Sequence, residues 1–529
     1  MKYPPSHYWQ RFQRATQAER DRFQSALAQP ELTQQQILQA ILQANQETVV
    51  GQAYGFSTIP DYHTFRQRVP IHTYDDLLPW IRRTAAGEPK VLTAEPAIAF
   101  ELTGGSTQGA KLIPYTQSGI QSFQRGIFTW LGDLITHRPA IQQGRTYWAI
   151  SPATRQPTTT LGGIPIGLAS DAAYFGDEVG AWIGELLAVP AHLGAIAQVD
   201  HWRYQTVLHL LAAADLSFIS VWSPTFLLQF VEEIQKSGDR LLHDLYHGTP
   251  TLPAQPVRAA AVKAALTHHS LNLSHLWPQL DTLSCWTSAA AHAFLPQIQS
   301  HCPSLWIQGK GLLATEGVVT LPQVGCLAPV LAIRSGFYEF LDAAETPHLC
   351  HQLQMGQDYR VVITTPSGLY RYDLGDRVRL VGWHQQTPLL EFVGRAGVTS
   401  DLCGEKLTEA FVLQQFRALQ PQYALGAFML LVPALQEHPH YVLVVDGQDC
   451  DGAIAPMLLP HLDQRLSTNP QYAYARRMGQ LRPPRLFRAQ APTTAYVQAR
   501  LQQGQRLGDI KPPVLTPYWQ DLALFQPYR

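Results

Sequence analysis

The sequence predicts an α/β protein: a large N-terminal domain whose β-sheets are flanked by helices, then a small α+β C-terminal domain. Three observations predict it. At 529 residues the chain is too long for one hydrophobic core. Helical and strand-like patterns alternate over its first part, and strand-like runs cluster later, as expected of layered helices and sheets. Past Lys406 a helix, two strands and a further helix follow one another, which suits a separate small domain.

Taken in order, residues 7–48 read as helices, because 19–27 and 34–47 carry apolar residues at three- and four-residue spacing. A capping pattern, Thr73-Tyr-Asp-Asp76 ahead of Leu77 and Leu78, opens another helix. Residues 91–102 turn strand-like and run into a Gly-rich loop at 104–109, and 119–136 is a strongly apolar helix. Helices follow at 177–187, 204–214 and 224–235, with a buried strand at 216–221. Strands are expected at 281–284, 304–308, 317–321, 337–341, 359–365, 377–383 and 390–393. The C-terminal domain should hold a helix at 408–418, strands at 426–432 and 441–445 and a helix at 453–466. The polar stretch 490–513, rich in Gln, Gly and Pro, is expected to be loop-heavy. The domain boundary falls near Arg395, giving 1–394 and 395–529 with a hinge near 394–397.

Composition removes several function classes. With 39 basic and 40 acidic residues the net charge is near −1, so electrostatics give no reason to expect nucleic acid or an anionic membrane as partner. No 18-residue apolar run appears, and the first residues lack the apolar core of a signal peptide, so a cytoplasmic protein is expected. The six cysteines lie far apart with no C-x-x-C pair, which fits reduced thiols better than disulfides or zinc. His243 and His247 share a helix face but lack the Glu and the third ligand of a metalloprotease site.

Four motifs carry chemistry. In Glu101-Leu-Thr-Gly-Gly-Ser-Thr-Gln-Gly-Ala-Lys-Leu-Ile-Pro114, the glycines Gly104, Gly105 and Gly109 free backbone N–H groups to approach an anion. Thr103, Ser106 and Thr107 add hydroxyls and Lys111 a compact positive charge, making a phosphate cradle without Walker A spacing. The bland alternative is a tight turn between strands. In Gly311-Leu-Leu-Ala-Thr-Glu-Gly317, Glu316 suits Mg²⁺, which takes one or two carboxylates, and Thr315 suits a phosphate oxygen. A solvated Glu in a turn is the alternative there. In Ser367-Gly-Leu-Tyr-Arg-Tyr-Asp-Leu-Gly-Asp376, Asp376 closes a turn where its carboxylate suits both hydroxyls of a ribose. Arg395 and Lys406 follow within thirty residues and suit a nucleotide held between domains; surface charges near a hairpin are the alternative. Finally, Lys511 in Leu507-Gly-Asp-Ile-Lys-Pro-Pro513 precedes two prolines that fix an extended backbone, where a solvated surface lysine is the alternative.

Together, in order and spacing, the four motifs resemble the ANL group of adenylate-forming enzymes, and specifically a bacterial-type member of the Gretchen Hagen 3 family of acyl acid–amido synthetases. His72-Thr-Tyr-Asp-Asp76 and Gly87-Glu-Pro89 resemble the lead-in to that family's phosphate loop, and Thr103 to Gly109 the loop itself. Ala314-Thr-Glu316 resembles its second motif and Tyr370-Arg-Tyr-Asp-Leu-Gly-Asp376 its third, the most specific of the set. Phe337-Tyr-Glu-Phe340 and Gly382-Trp-His384 resemble further landmarks, and Gly394-Arg395 with Gly404 and Lys406 the crossover to the small domain. The chain departs from the pattern in three places. Its phosphate loop is one residue short, Leu312 replaces the usual tyrosine, and Gly397 replaces the usual hinge acid.

The resemblance implies a luciferase-like fold with a mobile small domain, ATP and Mg²⁺ as cofactors, and two half-reactions. A carboxylic acid is adenylated with loss of pyrophosphate, then an amine, usually an amino acid, takes the acyl group. It implies nucleotide contacts from Thr103, Gly104, Gly105, Ser106, Thr107, Gly109, Lys111, Thr315, Asp376, Arg395 and Lys406. With Leu312 in the tyrosine's place, Phe337 or Tyr338 is expected against adenine. Glu316 would bind the metal, and Lys511 would stabilise charge during adenylation. The acyl pocket is expected along the helix 119–136, at Phe123, Phe128, Trp130 and Leu131, although core packing explains these four equally. A thiol acceptor (coenzyme A or a carrier protein) and a non-catalytic nucleotide-binding protein are the competing readings.

Overall fold

The computed structural model describes residues 3–103, 111–148, 158–168, 174–267, 271–395, 398–403, 405–435, 439–477, 480–505 and 507–528. The chain divides into two compact units: Met1–Trp222, Gln229–Cys285 and His301–Phe392 form the first, and Ser223–Leu228, Trp286–Ser300 and Val393–Arg529 the second.

The first unit opens with the helix Pro5–Leu27, which carries Pro at its first turn, where the missing N–H is not needed. Trp9, Phe12, Phe23 and Leu27 fall on its buried face. Thr73 caps the helix Tyr74–Ala85 in a capping box with Asp76, as the Thr73-Tyr-Asp-Asp76 pattern predicts. The helix Gln117–His137 is capped by Thr116, whose hydroxyl accepts from Gly119 N at 3.1 Å. A Cβ on Gly119 would meet Ser367 Oγ, so any side chain there would have to displace that hydroxyl.

Three sheets form the frame. A hairpin pairs Ala99–Thr103 with Lys111–Tyr115, with Thr103 opposite Lys111, so the stems of the Gly-rich loop are fixed although the loop lies outside the described residues. A four-stranded sheet runs Arg145–Trp148, Leu216–Ser220, Thr282–Cys285, Trp306–Gly309, every pair parallel. Leu216–Ser220 is buried along its whole length, as strands covered on both faces are. A seven-stranded sheet places Tyr372–His384 between Thr387–Arg395 and Asp358–Thr364.

In the second unit, Met429–Ala434 pairs antiparallel with His440–Asp446, which pairs parallel with Arg485–Ala489. The helices Glu409–Tyr423 and Ala455–Leu466 contribute Val412, Phe416, Leu419, Leu458 and Leu462 to its core. The stretch 490–513, expected as loop, contains the helix Pro492–Gln502. Its proline sits at the first turn and Tyr496 and Val497 are buried, and Gln, common there, is a good helix former. The six cysteines are free thiols, and among the described residues no group of three His, Cys, Asp or Glu gathers in a metal-binding arrangement. Among those residues, too, no helix is long and apolar enough to cross a membrane.

Candidate active site

The hairpin strand Lys111–Tyr115 brings two side chains to the second motif. Tyr115 donates its hydroxyl to the carbonyl of Thr315 at 2.7 Å. Lys111 donates to the hydroxyl of Tyr372 at 3.4 Å, and Tyr372 donates in turn to Glu316 Oε1 at 3.3 Å. The Lys111 ammonium also lies over the rings of Tyr74 and Tyr372, 5.3 and 6.0 Å from their centroids. Tyr74 reinforces the hairpin by accepting from Leu112 N at 2.8 Å. One lysine, one phenol and one carboxylate, from three of the sequence motifs, thus form a single chain of polar contacts.

The third motif owes its shape to buried structural contacts. Tyr370 is fully buried and donates to Leu92 O at 2.7 Å. Arg371 sits at φ 47°, a conformation unfavourable for a residue with a Cβ. It is held there by a bidentate pair with Glu339 (2.8 and 2.7 Å) and by donation to the carbonyl of Val69 at 2.7 Å. Tyr62 adds a third hydrogen bond to Glu339 at 2.9 Å, and burial followed by that carboxylate pushes its phenol pKa up. His72 holds the other side of the turn: its Nδ1–H donates to Tyr370 O at 2.7 Å and its Nε2 accepts from Tyr54 OH at 2.9 Å. Burial lowers the His72 pKa, which suits a neutral ring in that position.

Asp376 does not close a turn, as the sequence suggests, but lies inside the long strand Tyr372–His384. Between Arg360↔Arg377 and Val362↔Asp373 the ladder slips, so that Leu374, Gly375 and Asp376 face the single residue Val361. Such bulges re-aim side chains next to active sites. Gly375 has φ 73°, and its N–H bonds Asp373 Oδ1 at 2.8 Å. The two extra residues redirect the strand at Asp376.

Several expected site residues prove to be packing. Phe337 and Tyr338 are 1% and 2% exposed; Phe337 packs against Tyr62 and Phe65, and Tyr338 OH donates to the carbonyls of Val318 and Ala332. Neither leaves a ring face for adenine. Phe128 packs on Phe12 and Phe175, and Leu131 is wholly buried in the core. Phe123 lies 5.0 Å from Tyr174, which also meets Tyr115. Trp130 is different, because its indole donates to Gln308 Oε1 at 2.7 Å and the ammonium of Lys310 sits 4.7 Å from its ring. Lys310 escaped the sequence reading. Its one signal was a charge between two glycines, Gly309 and Gly311, beside an apolar strand.

The remaining expected residues belong to the second unit. Arg395 ends the strand Thr387–Arg395, Lys406 is exposed at φ 46°, and Gly397 and Gly404 lie outside the described residues. Beside Lys406, buried Glu405 accepts from the N–H groups of Leu402 and Cys403 at 2.7 Å each and from Tyr441 OH. The Lys511 ammonium rests 3.3 Å from the centroid of the Trp286 ring. Gly104, Gly105, Ser106, Thr107 and Gly109 lie outside the described residues, and Thr103 is fixed through its backbone as the stem partner of Lys111.

Against known proteins, three models of one family match successive stretches: the GH3 family N-terminal domain over 19–307, its central domain over 329–395 and its C-terminal domain over 406–518. The jasmonoyl–L-amino acid synthetase JAR6 of Nicotiana attenuata is 23% identical over 428 residues, 71% of each chain. The indole-3-acetic acid-amido synthetase GH3.8 of Oryza sativa subsp. indica is 24% identical over 419 residues, 71% of this chain and 68% of its own. These relatives are plant proteins, so the bacterial-type part of the resemblance finds no support in them. Among solved structures, the AtGH3.15 acyl acid amido synthetase in complex with 2,4-DB superimposes with a TM-score of 0.85 at 18% identity, covering 99% of this chain and 96% of that one. A 2-hydroxyisobutyryl-CoA ligase reaches 0.54 at 12% identity, covering 92% and 90%. The fold is therefore that of the adenylate-forming enzymes, and, with all three of its domain models matched in order, the chain belongs to the GH3 family.

Proposed function

We propose that this protein is an ATP-dependent acyl acid amido synthetase, a ligase that adenylates a carboxylic acid and passes the acyl group to an amine, an amino acid by preference. The observation that carries the reading is the Lys111–Tyr372–Glu316 chain, which ties the phosphate-loop stem to the second and third motifs. The relatives support the acceptor class, one being named a jasmonoyl–L-amino acid synthetase and the other an indole-3-acetic acid-amido synthetase. Converting the acid to its mixed anhydride with AMP replaces a poor leaving group by a good one, so ATP is consumed to make an amide.

In the first half-reaction the acid's carboxylate attacks the α-phosphorus and pyrophosphate departs. Lys111 neutralises phosphate charge at the mouth of the hairpin, where Thr103 and the residues Gly104, Gly105, Ser106, Thr107 and Gly109 offer N–H and hydroxyl donors. Thr315, whose backbone Tyr115 fixes, presents its hydroxyl to a phosphate oxygen. Asp376, re-aimed by the bulge, accepts from the ribose hydroxyls. Glu316 fits Mg²⁺, because that ion takes one or two carboxylates and completes its shell with phosphate and water. When bound, the ion would supply charge neutralisation to the phosphates. Arg395, Lys406 and Lys511 are assigned to the nucleotide by the motif resemblance, Lys511 during adenylation. In the second half-reaction the amine attacks the acyl carbon and AMP leaves. The cytoplasm, which holds ATP and free amino acids and keeps thiols reduced, is the compartment that suits this chemistry.

Acid-dependent exchange of labelled pyrophosphate into ATP tests the reading, run over aromatic, aliphatic and hydroxy acids. Exchange with any acid establishes adenylation. Incubation with amino acids, or with coenzyme A, then identifies the acceptor by product mass. Absence of ATP binding would refute the assignment outright.

A further inference from the structure

Across the parallel sheet one register row reads Trp148, Ser220, Ser284, Gln308. Side chains in register on neighbouring strands share a face, so the four project together. The ladder runs one residue further, with Lys310 N donating to Cys285 O at 2.8 Å, and Lys310 is two residues on from Gln308, hence on the same face. The row sits at the carboxyl ends of the strands, where open parallel sheets bind their ligands.

Among the described residues its polar groups are only partly satisfied. Among the described residues Trp148 Nε1, Ser284 Oγ and Gln308 Nε2 are buried with no hydrogen-bond partner. Ser284 is fully buried and Gln308 is 4% exposed, so open solvent does not serve them. Leaving a buried polar group unpaired is costly, and three in a row mark a site rather than a defect. Lys310 reaches the row by donating to Ser220 Oγ at 2.8 Å, between the rings of Trp130 and Trp222, whose centroids lie 4.7 and 5.3 Å away. Among the described residues no carboxylate pairs with it. Burial pulls its pKa down to about 7, so the site holds a cation only half-secured at neutral pH.

The free groups are chiefly donors: an indole N–H, an amide NH₂, a hydroxyl and an ammonium. They match an oxygen anion. Their bonds involve other residues than those of the Lys111–Tyr372–Glu316 chain: Lys310 meets Ser220, Trp130 and Trp222. We propose that Lys310, with Ser284, Gln308 and Trp148, receives a second carboxylate on the acyl substrate, so that the enzyme selects dicarboxylic acids. The inference rests on the synthetase reading: Lys111 serves the reacting end and Lys310, its ammonium against the Trp130 ring of the helix Gln117–His137, the distal end.

The test compares α,ω-dicarboxylates, from succinate to sebacate, with monocarboxylates of equal length in pyrophosphate exchange, with the ω-hydroxy acids as a neutral-oxygen arm. Wild type should favour one or more dicarboxylates over the matched monocarboxylate by about tenfold or more in kcat/KM, with hydroxy acids between, and Lys310→Met should bring that ratio to about one. Hydroxy acids equal to dicarboxylates would overturn the anionic ligand. An unchanged ratio in Lys310→Met, or equal loss on all acids, would overturn the distal role. Lys310→Gln serves if the Met variant does not fold. Should wild type adenylate nothing, the synthetase reading fails separately, and tryptophan fluorescence decides the site without ATP. Quenching by a dicarboxylate but not its monocarboxylate partner, lost in Lys310→Gln, would uphold the pocket; no quenching would end it.

Discussion

Removing one oxygen atom tests the polar chain at the centre of the site. Tyr372→Phe keeps the ring, which is 1% exposed and lies under the Lys111 ammonium, and deletes the hydroxyl between Lys111 and Glu316. Hydrogen bonds to charged groups contribute about 1.5–3 kcal/mol at good geometry. Both bonds here are long, 3.4 and 3.3 Å, so a combined loss of about 1–2 kcal/mol is the better figure. That corresponds to a fall of roughly 5- to 30-fold in kcat/KM for acid-dependent pyrophosphate exchange. The melting temperature should move little, because the ring still fills its place in the core. Glu316→Gln, which removes the carboxylate, should fall further. Wild-type exchange by Tyr372→Phe would refute the idea that this hydroxyl sets the positions of the lysine and the carboxylate. So would a loss explained wholly by unfolding.

The other predictions bear on how the motifs are held and used. Gly375→Ala places a Cβ at φ 73° and should destabilise the protein by about 1 kcal/mol while weakening ATP binding, read by calorimetry, more than it lowers the melting temperature. Glu339→Gln leaves the Arg371 guanidinium buried and uncompensated; denaturant titration should show a loss of about 3–5 kcal/mol, whereas breaking an exposed pair such as Arg83–Glu88 should leave the transition almost where it was. Lys511→Ala should slow adenylation and leave the reaction of a preformed acyl-adenylate with amine almost unchanged, and equal impairment of both steps would argue against its role.

Much of this was legible in the sequence because local rules agreed with the tertiary outcome. Thr73 and Asp76 announce a capping box and form one. The apolar runs at 216–221, 281–284 and 304–308 become neighbours in the parallel sheet. The errors arise where distant residues decide. A bulge is invisible in Leu374-Gly375-Asp376, since glycine there reads equally as a turn, and only the slipped pairing with Val361 separates the two. Phe337 and Tyr338 are expected against adenine because Leu312 stands in the usual tyrosine's place, yet the helix Tyr62–Arg68 packs on Phe337 and the carbonyls of Val318 and Ala332 take the Tyr338 hydroxyl. Lys310 shows the opposite failure. Its neighbours Ser220, Trp222 and Trp130 lie 88 to 180 positions away in sequence, and no local pattern joins them.

The third motif, seven residues from Tyr370 to Asp376, divides its labour in a way that sequence alone cannot apportion. Two left-handed residues, Arg371 at φ 47° and Gly375 at φ 73°, bracket the segment that carries Tyr372. Glycine takes that conformation freely, whereas at Arg371 it costs about 1–2 kcal/mol. The cost is offset by a bidentate pair to Glu339, a bond to the Val69 carbonyl and the pairing of His72 with the same turn. Tyr372 therefore reaches Glu316 because Glu339, a residue placed in no ligand contact, holds the backbone one position upstream. A motif whose residues look uniformly chemical is in large part scaffolding, and substitutions at Tyr370, Arg371 or Glu339 that abolish activity would report on where Tyr372 and Asp376 point rather than on the reaction they serve.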